Sequence, residues 1–238
     1  PCIRPDLTAD RRHHPQIPVL RDLVVCEHAE AGDSVSQKPR QPGPERRRNE
    51  QYGRLTGNPA ACLGTLGPGA SNLITGVADA NMDRAPVVAI IGQGSTKRLH
   101  KESHQNMDAI AMVRPISKWA HSIVDGETIP EVVRKAFKLA EAEKPGVTVI
   151  ELPEDVAKEQ VSVRPMPVYK TRRPAADHKS VNAAVEALVA ARRPVILAGN
   201  GAIRKRAATQ LQRLSHKTGI PVVNTFMGKG AMPMDDKH

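Results

Sequence analysis

The run PVVAII, residues 86–91, constrains this chain more than any other stretch. Six apolar residues without polar alternation describe a strand covered on both faces, and such strands belong to parallel sheets sandwiched between helices. A parallel neighbour must be reached by a crossover of a dozen residues or more, and the flanking residues supply one on each side. Residues 60–66 form a short buried strand ending in Gly67-Pro68-Gly69. Residues 71–82 then carry Leu73, Ile74, Val77 and Ala78, with Ala70 on the same side, at helical spacing. Further on come a short helix over 107–113, a strand over 117–124, and a helix over 130–143 with Val133, Ala136, Phe137 and Ala140 along one face. The next strand, VTVIEL, covers 147–152. Strand and helix alternate throughout, which predicts an α/β layer with right-handed crossovers.

Residues 154–177, rich in proline and charge and without apolar period, read as a linker. A second α/β unit occupies 178–238. It has a helix over 180–191, a buried strand over 194–198, a Gly199-Asn200-Gly201 turn and a helix over 203–218. The strand 221–224 and the loop TFMGKG follow. The chain then stops inside what is expected to be an unfinished unit, since a strand–helix–strand piece needs more strands to close a sheet. At the other end, seven prolines interrupt residues 1–50, and QKPRQPGPERRR at 37–48 excludes a continuous helix. That segment is expected to be a disordered arm or an out-of-frame translation.

Composition removes several function classes. Three cysteines at 2, 26 and 62 make neither a disulfide framework nor a metal-ligand spacing, and a reducing, cytoplasmic setting is expected. No apolar run approaches the ~20 residues of a membrane span. The net charge of +10 comes from residues 164–238, where 14 Lys and Arg face 4 Asp and Glu. With aromatics at 2% there is nothing for bases to stack on. A solvated basic face, or one meeting an anionic cofactor, is favoured over a nucleic-acid site.

Motifs narrow the chemistry further. HKESH at 100–104 places Glu one position too late for a zinc-protease helix. Cys62, inside an apolar strand, suits a core position better than a nucleophile's. GKG at 228–230 lacks the spacing of a phosphate-binding P-loop. Gly199-x-Gly201 opens a dinucleotide fingerprint whose third glycine is replaced by Arg204. The Gly67-Pro68-Gly69 turn can bend sharply and come close to a flat ligand, with Ser71 and Asn72 available as helix caps. Turn and ligand loop remain equally open from this pattern alone.

The string YGRLTG at 52–57, followed by TLGPGASNLITGVADANMDRAPVVAIIGQ, is similar to the pyrimidine-binding domain of thiamine-diphosphate enzymes, and most resembles the acetolactate synthase large subunit. KRLHKESHQNMDAIAMVRPISKW, GVTVIELPEDV, PVILAGNGAIR and NTFMGKGAMP continue the likeness in order, over about 51–236. The resemblance implies a parallel-sheet pyrimidine-binding domain over 51–153, then part of a Rossmann-like central domain. It implies condensation of two 2-keto acids, pyruvate with pyruvate or 2-ketobutyrate, with loss of carbon dioxide on thiamine diphosphate and Mg²⁺. Glyoxylate carboligase and other 2-keto acid decarboxylases share much of this text. A nucleotide- or FAD-binding module built on GNGAIR is the alternative from another class. By the same resemblance, Gly67, Pro68, Gly69 and Asn72 lie at the thiamine site, Gln93 is the active-site glutamine, and His104 and Gln105 stand on the substrate side. Arg114, Gly199, Gly201, Thr225, Phe226 and Met227 match positions that contact a structural FAD. A homo-oligomer, and a regulatory small subunit, are implied as partners in branched-chain amino acid or acetoin metabolism.

The departures carry expectations too. The family's Arg-His-Glu, which activates the cofactor, stands about ten residues before YGRLTG. Counting back here reaches Gln41-Pro42-Gly43. No Gly-Asp-Gly…Asn metal and diphosphate motif occurs. Residues 1–50 are therefore expected to be foreign to the family, and the metal site to lie outside this chain. The 238 residues alone are expected to be inactive.

Overall fold

The computed structural model describes residues 44–167, 175–203 and 207–237, with side chains from Glu50 onward. The chain divides into two units at residue 171. The first holds a four-stranded, all-parallel sheet in the order β1-β2-β4-β3. Its strands are β1 (Ala60–Gly64), β2 (Val87–Gln93), β3 (Trp119–Ser122) and β4 (Val147–Pro153). Central strands β2 and β4 pair along their whole length, from Val87 against Val147 to Gln93 against Pro153. The α/β parallel fold expected from the alternation is what the chain adopts.

Alternation along the central strands sorts the core onto two faces. On one, Val87, Ala89 and Ile91 of β2 and Val147 and Val149 of β4 pack under α2 (Pro68–Met82) and α3 (Ala109–Val113), which contribute Leu73, Val77 and Val113. On the other, Val88 and Ile150 pack under α4 (Ile129–Glu141) through Val132, Ala136 and Ala140. Both faces of the central strands are thus covered, the condition that makes a continuous apolar run stable as a strand. Truncating Ile150, which is fully buried, would cost about 2–5 kcal/mol. Lys118 closes the far end of α4, donating from Nζ to the carbonyls of Leu139 (2.6 Å) and Ala142 (2.5 Å); burial pushes its pKa down.

Several boundaries differ from expectation. Helix α1 (Pro44–Thr56) crosses residue 50 without a break, because Pro44 stands at its first position, where proline is tolerated. Residues 1–43, on which the foreign-arm expectation otherwise rests, lie outside the described residues. Helix α2 begins at Pro68 rather than 71, with no side-chain cap. Ser71 instead turns its hydroxyl back to the Pro68 carbonyl, at 3.1 Å, and Asn72 is exposed in the helix. The expected linker from 154 is ordered at first, with a 3-10 turn at Val156–Lys158.

The second unit contains α5 (His178–Ala190), β5 (Ile196–Ala198), α6 (Asn200–Ile203), α7 (Ala207–Thr218) and β6 (Val222–Asn224), with β5 and β6 parallel. Gly201, expected in a turn, lies within α6. The expected continuous helix over 203–218 crosses residues 204–206, which lie outside the described residues.

Candidate active site at the carboxyl ends of the strands

Three separate segments converge where β1 and β2 end. Gly67, following β1, has φ +57°, and a Cβ placed on it would lie 2.7 Å from Gln105 Cβ and 2.8 Å from the Gln105 carbonyl oxygen. Gln105 itself has φ +59°, a left-handed conformation that costs a side-chain-bearing residue about 1–2 kcal/mol. A Cβ on Gly92, near the end of β2, would stand 3.2 Å from Leu66 N, so the end of β2 is pressed against the start of the glycine turn. The carboxyl end of a parallel sheet is where α/β folds place ligands.

Gln93 is the hub of this end. It is 5% exposed, and its amide is fully engaged. Nε2 donates to the Met107 carbonyl at 2.8 Å and to Glu151 Oε1 at 3.0 Å, while Oε1 accepts from Gly94 N at 2.8 Å. It therefore ties β2 to β4 and to the segment that carries Gln105. Beside it, a Cβ on Gly94 would meet nothing within 4 Å, although the residue is buried. Open space next to a buried backbone is room for a ligand edge. His104 and Gln105 are both exposed above this end, and Pro68, exposed at the start of α2, shares the turn.

Two buried carboxylates were not singled out from the sequence. Glu151, 4% exposed, belongs to the Gln93 network; a glutamate inside VTVIEL was the available signal. Glu50 sits elsewhere. It lies on α1 with Arg54, which bridges it to Asp83, and Asp79 is alongside. Burial pushes its carboxyl above the ordinary range against the pull of Arg54. Asp79 and Asp83 stand at the far end of α2 from Gly67, roughly 20 Å away at 1.5 Å per residue. Glu50 thus cannot replace a carboxylate at the Gly67 end.

In the second unit Gly199 and Thr225 meet at the ends of β5 and β6. Thr225 N donates to the Ala198 carbonyl at 2.9 Å, and Gly228 packs so closely on Ala198 that a Cβ would stand 2.2 Å from its oxygen. Phe226 is 94% exposed, Met227 half-buried and Gly201 exposed on α6. Arg114, exposed after α3, belongs to the first unit.

Comparison with known proteins identifies the domain to which this sheet belongs. Residues 50–112, which contain the whole convergence of Gly67, Gln93 and Gln105, match the thiamine pyrophosphate enzyme N-terminal TPP binding domain. Residues 181–238 match the thiamine pyrophosphate enzyme central domain. The chain belongs to the thiamine pyrophosphate enzymes. Among these enzymes, it is 40% identical over 192 residues to a glyoxylate carboligase of Escherichia coli O157:H7, covering 78% of this chain and 32% of that protein. It is 38% identical over 192 residues to an acetolactate synthase large subunit of Mycobacterium tuberculosis, covering 79% of this chain and 31% of that one. A probable acetolactate synthase large subunit of Methanocaldococcus jannaschii is 39% identical over 191 residues, with 77% and 32% covered. The chain thus spans about a third of the length of the curated relatives it matches. Among the described residues, no helix is long and apolar enough to cross a membrane.

Proposed function

We propose that the carboxyl end of the first sheet is the pyrimidine-side wall of a thiamine diphosphate site, in a carboligase of the acetolactate synthase type. The observation that supports it most is the pairing of Gly67 and Gln105, both left-handed and in contact, beside the buried amide of Gln93 and the open space at Gly94. Strained backbone persists where surrounding structure holds it and concentrates at functional sites. Thiamine diphosphate, when bound, supplies a nucleophilic carbon and a sink for the electron pair left by decarboxylation.

In this reading the chain's own residues bind, orient and exclude. The turn of Gly67, Pro68 and Gly69 brings backbone close to a flat ring, with Asn72 on the helix behind it. Gln93, with both ends of its amide engaged, fixes the spacing of the β2 end, β4 and the loop. His104 and Gln105 face the 2-keto acid, and Gln105 can donate to its carboxylate or carbonyl oxygen. Mg²⁺ belongs to the diphosphate end, beyond the residues gathered here. A structural flavin would use Gly199, Gly201, Thr225, Phe226 and Met227; assembly as a homo-oligomer with a regulatory small subunit completes the proposal.

The test is carbon dioxide release by the protein that carries this chain, supplied with thiamine diphosphate and Mg²⁺. Pyruvate, alone or with 2-ketobutyrate, is expected to be the better substrate. Gln105→Ala is expected to lower kcat/KM about 10–100-fold, equivalent to roughly 1.4–2.7 kcal/mol of transition-state binding. A preference for glyoxylate would establish the second reading, a glyoxylate carboligase, which the 40% identity to that enzyme supports. No release from any 2-keto acid would contradict both.

A further inference from the structure

The segment between β2 and α3 is long for a connection inside a sheet layer, and connections of this length without regular structure are usually functional. It begins with the 3-10 turn Thr96–Arg98 and then closes on itself. Asn106 Nδ2 donates to the carbonyls of Leu99 (3.0 Å) and Lys101 (3.1 Å). At its far end Met107 is held by Gln93. Its near end is held from β4. Asp155 accepts from Thr96 Oγ1 at 2.6 Å, from Thr96 N at 3.0 and 3.1 Å, and from Ser95 Oγ at 3.0 Å. Asp155 follows Glu154, whose own N–H donates to the Gln93 carbonyl at 3.0 Å. The latch is therefore built directly onto the strand end that carries Gln93.

We propose that Asp155 is a positioning residue, whose carboxylate latches the start of the 94–106 loop and so keeps Gln105 seated on the Gly67 turn. This rests on the thiamine reading of that turn. Three convergent donors on one carboxylate fix direction as well as distance, and hydrogen bonds to an ionised acceptor are about twice as strong as neutral ones. The neighbouring Arg98–Glu154–Lys158 set is exposed on all three side chains, and pairs of that kind hold little. Without Asp155 the loop keeps its internal Asn106 clasp and the Met107 tie to Gln93, but its near end is no longer fixed to the sheet. Gln105, which needs packing to remain left-handed, is the residue that such a loop would release first.

Amide exchange and thiamine titration on Asp155→Ala, Asp155→Asn and the unmodified chain test this together. Asp155→Ala is expected to speed exchange of amides 96–106 at least about tenfold, leaving β1, β2 and β4 unchanged. It is also expected to weaken the thiamine-induced shifts at Gly67 and Gln105 about tenfold. Asp155→Asn, which keeps one acceptor oxygen, should recover part of both. Should Asp155→Ala fail to fold, Thr96→Val, which removes only the 2.6 Å bond, is expected to give the same pattern at smaller size. Unchanged loop exchange overturns the proposal. Faster exchange with an unaltered thiamine response also overturns it, leaving the cofactor reading intact. Absence of any thiamine response in the unmodified chain removes the cofactor reading and the positioning role with it, a result distinct from the other two.

Discussion

Gly67 is where backbone geometry and proposed function bear on the same atom. Its φ of +57° and the 2.7 Å approach of Gln105 Cβ leave no room for a side chain. Gly67→Ala is expected to destabilise the chain by about 1–3 kcal/mol and to displace Gln105, measured by urea unfolding together with the Gln105 amide shift. A Gly67→Ala chain as stable as the parent, with Gln105 unmoved, would show that the contact is not held. The TLGPG pattern announced a sharp turn, and Gln93 at the end of an apolar run announced a polar residue at a strand end. Neither revealed that the Gln93 amide would be consumed by Met107, Glu151 and Gly94. Those partners lie up to 58 positions away, and sequence spacing carries no record of them. Gln105 could be placed by resemblance, but its left-handed backbone follows from packing against Gly67 and has no local signature.

At the scale of elements, α1 shows where the proline-rich stretch gives way to helix. Three prolines in QKPRQPGPERRR argued against a continuous helix over 37–48, and the last of them opens one that docks through Gly53 onto Pro86. The docked helix buries Glu50 against Asp79 and Asp83, with Arg54 between them and Cys62 lining the small cavity beneath. Glu50's pKa is raised above its ordinary 4.5, desolvation outweighing Arg54. The folded chain therefore holds this proton more tightly than the unfolded one. Its stabilising effect is complete below about pH 4.5 and is lost as pH rises through the raised value. Glu50→Gln, neutral at every pH, is expected to remove that fall, seen as urea midpoints that no longer decline from pH 4.5 to 7. An identical decline in the variant would assign the effect to other groups. The strand and helix stripes of the first sheet were readable in outline: Leu73, Val77, Ala136 and Ala140 repeat at the helical period and are buried, while Ile74, Ala78, Val133 and Phe137 are half-buried and Val132 takes a buried place that the stripe did not include.

The whole molecule is two units joined by a stretch with little to protect it. Residues 160–167 form no regular element and are exposed, so brief elastase treatment is expected to cut, among the described residues, first after Val161 or Val163. First cuts inside α2 or α4 would contradict that organisation. In the second unit Leu197 and Val223 of the two-stranded sheet are 69% and 51% exposed. The sequence suggested buried strands there because PVILA is apolar, but apolarity fixes a strand's preference for burial and not what covers it.

The central claim is that, among the described residues, the end of the first sheet and not the second unit meets the thiamine pyrimidine. Its most direct test is backbone amide mapping during titration of the 238-residue chain with thiamine to millimolar concentration. The account predicts shifts confined to 65–69, 93–94 and 104–107, with 199–228 unmoved. Shifts centred on 199–228, or none at the Gly67 turn at saturating ligand, would contradict it.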